Sequence, residues 1–200
     1  MDKVAEYIKN QSGYARMSEL KQAGFHTRRI REALNNGVIE KVTSGLYRIA
    51  DLEPEGNYSQ GYIDVCLAMP GAVICLLSAL AYYNLSDINP QKVFIALPNK
   101  SKMRKIIYPP VEVFYFRDNL YELGKRKIET PTGDFWIYDE EKTVCDIFRF
   151  RNKLGEDLAL EALGNYLKQK ESDLVKLQQY AIRSHLKTIL LPYLKAMVIK

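Results

Sequence analysis

Histidine and cysteine are scarce here, with two and three copies in 200 residues, and each scarcity removes a class of chemistry. Cys66, Cys75 and Cys145 are odd in number, sit in apolar surroundings and form no CxxC pair, so neither a disulfide framework nor a zinc site is expected. His26 falls in a turn and His185 on a late polar helix face, neither beside a nucleophile or a metal-ligand partner. No glycine-rich loop suits a nucleotide phosphate. No cofactor is expected, and the chain does not read as an enzyme. The opening MDKVAEYIKNQ carries charge from its second residue and lacks an apolar stretch, so a secretory signal is not expected and the protein reads as cytoplasmic. Charge is also missing from Val65 to Ser86, a run long enough to span a bilayer. Pro70-Gly71 breaks that run and Ser78, Tyr82, Tyr83 and Asn84 make its end polar, which fits a turn and a buried helix and no membrane contact.

Hydrophobic residues make up 47% of the chain, enough for one large core or two small ones. The net charge of +5 is unevenly spread. Residues 1–50 hold nine Lys and Arg against five Asp and Glu, residues 51–98 one against five, residues 99–130 eight against four, and residues 131–200 eleven against ten. Positive charge therefore gathers in the first quarter and in one central segment, a distribution suited to an acidic partner.

Helical spacing of Val4, Ala5 and Ile8 predicts a first helix over residues 2–10. Ser18 caps a second, short helix that leaves through Gly24 in a left-handed conformation. Thr27 caps a third, in which Ile30, Ala33 and Leu34 share the buried face. VIEKV and GLYRIA follow as two strands joined across Thr43-Ser44-Gly45. The order is that of a winged helix-turn-helix in residues 1–50. Residues 51–61, DLEPEGNYSQG, read as a linker, and residues 62–200 as a mixed α/β domain with a C-terminal helical layer, α+β overall. In that second part YIDVCLAM and CLLSALAYYNL suggest helices, and KVFIALP and IIYPPVEVFYF suggest strands. A hairpin tip is expected at Thr132-Gly133, an N-cap at Asp139 and a helix break at Pro192. Tyr82, Tyr83 and Tyr115 read as core or interface residues with a polar tip.

With Ile30, Ala33 and Leu34 inside, a 100° step per residue turns Arg28, Arg29 and Arg31 outward. Two of them stand in the first turn, where the helix dipole disfavours cations. That placement suits a helix tip driven into a DNA major groove, where guanidinium groups meet phosphates or guanine O6 and N7. Thr27 at the tip and Lys41, Thr43, Ser44 and Arg48 on the hairpin complete the expected DNA-binding set. Glu32 is open to two roles, accepting from a cytosine amino group or pairing with Arg28. Lys100, Lys102, Arg104 and Lys105 in NKSKMRK fall on a loop that could touch flanking DNA, an acidic protein face or only solvent.

Taken together, SGLYRIA at the hairpin, Ser78-Ala79-Leu80, Ile95 to Pro98 and IYDEEKTVCDIFR resemble the AbiEi-type antitoxin and transcriptional regulator family of type IV toxin–antitoxin systems, which act in abortive infection. Thr143 and Asp146 match a threonine and an aspartate typical of that family. The resemblance implies a phage-defence repressor that binds inverted repeats of double-stranded DNA in its own promoter and counteracts a nucleotidyltransferase-like toxin. It also implies a C-terminal domain associated with antitoxin activity and with self-association on DNA. Two alternatives stand beside it. Asp134, Glu140 and Lys142 could serve a metal-dependent nuclease, although Glu140 and Lys142 fit a helix start better than a strand. The second domain could instead bind a small ligand and make the protein a ligand-responsive winged-helix regulator.

Overall fold

The computed structural model describes residues 2–52 and 60–198. Asp2 starts the chain's first helix, α1 (Lys3–Asn10), by accepting from the Val4 and Ala5 amides. After it come β1 (Tyr14–Arg16), α2 (Met17–Gln22), α3 (Thr27–Asn35), β2 (Ile39–Thr43) and β3 (Leu46–Ile49). The strands form one antiparallel sheet in the order β1-β3-β2, with Gly45 at φ 77° in the tight turn between β2 and β3. Helices and sheet close around Val4, Ile8, Leu20, Ile30, Ala33 and Ile39. Burying a side chain such as Ile8 or Ile30 contributes roughly 1.5–3 kcal/mol.

β1 is an addition to the elements expected from sequence, because three residues are too few to show alternation. Two caps also shift. Arg16, not Ser18, precedes α2, and its amide donates to Glu19 at 2.5 Å. Thr27 is the first helical residue of α3 and His26 stands at its cap, with no side chain accepting from the first turn. Gly24 does leave α2 left-handed, at φ 87°.

Of the expected linker, residues 53–59 lie outside the described residues, and Gln60 and Gly61 already belong to helix α4 (Gln60–Ala68). There follow β4 (Val73–Ile74), α5 (Leu76–Tyr82), β5 (Val93–Pro98), β6 (Val111–Phe116), α6 (Asp118–Tyr121), β7 (Lys125–Ile128) and β8 (Phe135–Tyr138). Helices α7 (Glu140–Arg149), α8 (Arg151–Leu154), α9 (Glu156–Lys168), α10 (Leu174–Arg183) and α11 (Lys187–Val198) complete the chain. The five strands pair in the order β6-β5-β4-β8-β7, β4 antiparallel to β5 and parallel to β8. Helix α7 packs against α5, α9, α10 and α11. The core there includes Val73, Phe114, Phe116, Tyr138, Ile147, Leu163, Tyr166 and Leu190. Pro192 does not break the last helix: α11 runs through it, and the interruption falls earlier, at His185, whose φ is 56°. No described helix is long and apolar enough to cross a membrane.

Two compact units result. The first takes the described part of Met1–Ala72 together with Lys102–Val111 and Ile128–Phe135, and the second takes Val73–Ser101, Glu112–Lys127 and Trp136–Lys200. This division cuts across the expected 1–50 and 62–200. The reason is α4, which packs on β2 and joins a buried polar network with β1 and β3.

Candidate nucleic-acid interface

Ile30 and Ala33 are buried and fix the rotation of α3, so its opposite face is open. The Arg28 side chain is 90% exposed, and Thr27, Arg29 and Arg31 are exposed beside it. Glu32 pairs with Arg28 at 3.0 Å, which takes up the acid in the second of its two expected roles. So open an i,i+4 pair is worth only about 0.3–0.5 kcal/mol, and Arg28 can exchange it for a phosphate or a base at little cost. No side chain accepts from the first-turn amides of α3, which stand at the positive end of the helix dipole. Lys41 and Ser44 are exposed on the β2–β3 hairpin and Thr43 is half-buried.

Arg48 is placed otherwise than expected. Its side chain is 13% exposed and wholly engaged: Nη1 donates to Asp64 Oδ2 at 2.9 Å, and Nε and Nη2 donate to Glu40 Oε2 at 2.9 and 2.6 Å. The Tyr14 hydroxyl donates to Asp64 Oδ1 at 2.6 Å, and Gln60 Nε2 donates to that hydroxyl at 2.5 Å. Burial pushes the Asp64 carboxyl up while Tyr14 and Arg48 hold it down, and burial with the Asp64 charge keeps the Tyr14 phenol protonated. This network joins β1, β2, β3 and α4. Arg48→Ala should therefore lower folding stability by about 2–3 kcal/mol in urea titrations, because Asp64 loses a charged donor.

The second basic segment meets the first. Thr43 Oγ1 donates to the Lys105 carbonyl at 2.7 Å, the Ile107 amide donates to the Val42 carbonyl at 3.2 Å, and Thr43 bridges Ile106 antiparallel. Ile106 and Ile107, expected to begin the strand that continues in VEVFYF, thus lie against β2, and β6 starts only at Val111. Lys102, Arg104 and Lys105 are exposed in this unit, whereas Lys100, also exposed, belongs to the second.

In the second unit the motif around α7 is interior. Asp139 caps the helix, accepting from the Lys142 amide at 2.9 Å, from the Tyr180 hydroxyl at 3.1 Å and from Lys176 at 3.0 Å. Glu141 accepts from Lys176 at 2.8 Å and from the Tyr166 hydroxyl at 3.0 Å. Burial disfavours the charge on Lys176, but Glu141 and Asp139 outweigh it and raise its pKa above the ordinary lysine value. Lys142 is fully buried between the Phe116 and Tyr138 rings and ion-paired with Asp146. Thr143 is buried beside them. Among the described residues no group of three or more His, Cys, Asp and Glu is arranged to hold a metal.

Elsewhere in that unit a cavity of about 360 Å³ is lined by Asn99, Tyr115, Phe116, Arg117, Arg149 and His185, with Leu120 and Phe150, and by no carboxylate. Arg149 Nη2 donates to the Ser184 carbonyl at 2.6 Å, which orients its guanidinium. Tyr115 is about half exposed, at 47%, and not a core residue, and His185 lies in the turn between α10 and α11, not on a helix face.

Residues 2–50 match the model of a family described as transcriptional regulator, AbiEi antitoxin. That is the family the sequence motifs resemble, and the match covers α1 through β3. No curated protein is similar enough to the chain to count as a relative.

Proposed function

We propose that this protein is a DNA-binding autorepressor and antitoxin without catalytic activity, whose residues 2–50 form a winged helix-turn-helix. Helix α3 is the reading helix and the β2–β3 hairpin the wing. One observation carries the reading: Arg28, Arg29 and Arg31 stand exposed at the uncapped end of a helix whose other face is fixed in a core. The match to an antitoxin regulator family supports the role. The inverted repeats and the nucleotidyltransferase-like toxin follow from that resemblance. Lys142, shut in a core with its partner Asp146 on the same helix, is not presented as a nuclease lysine is, which favours a non-enzymatic reading.

The test is fluorescence anisotropy with the duplex upstream of its own gene and with a random duplex of equal length. A preference of about a thousandfold or more for the upstream duplex is expected. Equal affinity for both overturns the reading. The Arg117–Arg149–His185 cavity favours one elaboration, a regulator that responds to a small anion. It would show in the same titration as a change in affinity on adding orthophosphate at constant ionic strength.

A further inference from the structure

We infer that residues 102–107 are a second strip of the DNA-binding surface, laid along the outer edge of the wing to hold the phosphates that flank the bases read by α3. The inference rests on the DNA-reading function proposed above and adds to it an element drawn from outside residues 2–50.

Three observations converge on it. The first is attachment. The sheet order β1-β3-β2 leaves β2 at an edge, and its last residues are paired: the Val42 carbonyl takes the Ile107 amide, and Thr43 takes Ile106 as bridge partner and the Lys105 carbonyl as acceptor. These ties fall on Lys105, Ile106 and Ile107, so the segment is fixed to the hairpin near its tip. It also covers a strand edge that would otherwise offer unpaired backbone groups.

The second is charge. Lys102, Arg104 and Lys105 are exposed, form no ion pair with any described residue, and lie in a stretch, residues 99–111, that contains no Asp or Glu. Cations crowded this closely repel one another, and a polyanion relieves that repulsion. The exposed Lys41 on β2 extends the same strip onto the wing. The third is the apolar content. Met103, Ile107 and Tyr108 are 48%, 56% and 60% exposed, three of the large hydrophobic side chains left open on the described chain. Apolar side chains interleaved with cations are the composition that proteins place against the minor groove, where they meet sugars and base steps while the cations take phosphates.

The experiment compares the wild type with Lys102→Ala/Arg104→Ala/Lys105→Ala across a range of salt concentrations, on the upstream duplex and on the random one. Each lost phosphate contact lowers the slope of log K against log salt by about 0.9, so the triple variant should lose about 3 from its slope. Affinity should fall by roughly ten- to a hundredfold on both duplexes. The ratio between the duplexes should stay fixed, because these side chains read no base. Thr43→Val, which removes the hydroxyl held by Lys105, should reproduce part of the slope change with all three cations present. An upstream duplex trimmed to the bases under α3 should bring the wild-type slope down to that of the variant. A triple variant that keeps the wild-type slope while the wild type binds specifically overturns the strip alone, and would point to an acidic protein face as its partner. A wild type without any preference for the upstream duplex overturns the reading head and the strip with it.

Discussion

Arg28→Ala/Arg29→Ala is expected to lose specific binding to the upstream duplex and to keep its fold. Each guanidinium that reads a guanine contributes about 1–3 kcal/mol of discrimination, so losing two should cost about 2–6 kcal/mol, a factor of about thirty to twenty thousand. The structure gives no reason for a matching loss of stability. Arg28 is 90% exposed, its only ion pair among the described residues is the weak one with Glu32, and the residues that hold α3 in place are Ile30 and Ala33 on its other side. Urea unfolding of the double variant should therefore fall within about 0.5 kcal/mol of the wild type. Anisotropy on the upstream and random duplexes separates two roles for these side chains. If they read bases, preference between the duplexes collapses; if they only grip phosphates, affinity falls equally on both and the salt slope drops by about 2. Unchanged affinity on both duplexes removes α3 from the interface.

Lys142→Ala is expected to be the most damaging single change to the second unit. It would leave the Asp146 carboxylate buried with Arg149 Nε, 3.9 Å away, as its closest cation, and breaking a buried pair from one side costs about 3–5 kcal/mol. Lys142→Met/Asp146→Leu removes both charges and should recover most of that loss. The single variant should also be sensitive to pH in a defined direction. Burial already pushes the Asp146 carboxyl up, with the Lys142 ammonium opposing it. Without the ammonium the folded pKa rises further above its unfolded value, so the folded chain binds more protons than the unfolded one between the two. Stability of Lys142→Ala should thus recover as pH falls from the raised value toward the ordinary carboxylate range, and be lowest above it. A loss under about 1 kcal/mol at neutral pH, or one that deepens on acidification, would contradict this account of the pair.

How far the sequence could be read depends on the range of the interaction that places each residue. The outward turn of Arg28, Arg29 and Arg31 follows from Ile30 and Ala33 a few positions away, and the Gly45 hairpin from its own turn residues, so both were legible. Arg48 was not, because its environment is decided by Asp64 on α4, sixteen residues further along the chain. Ile106 and Ile107 have the composition of a strand, but their partner is β2, more than sixty residues earlier, and no local pattern announces it. IYDEEKTVCDIFR was legible as a motif and as a capped helix. Asp139, Glu141, Lys142 and Asp146 turned out to be interior, which only the surrounding α9 and α10 reveal.

The division of the first unit into three stretches of chain also sets a timetable for its synthesis. Helices α1 to α3 and the hairpin are complete once residue 50 is made, yet the last stretch of the same unit ends at Phe135. At about 5–20 residues per second the ribosome needs roughly 4 to 17 s to cover the 85 residues between. Within that interval the nascent head gains first Asp64 for Arg48 and then Lys105 for Thr43. A gene cut or fused after codon 50 would leave the first unit without the other stretches of chain that complete it, residues 60–72, 102–111 and 128–135.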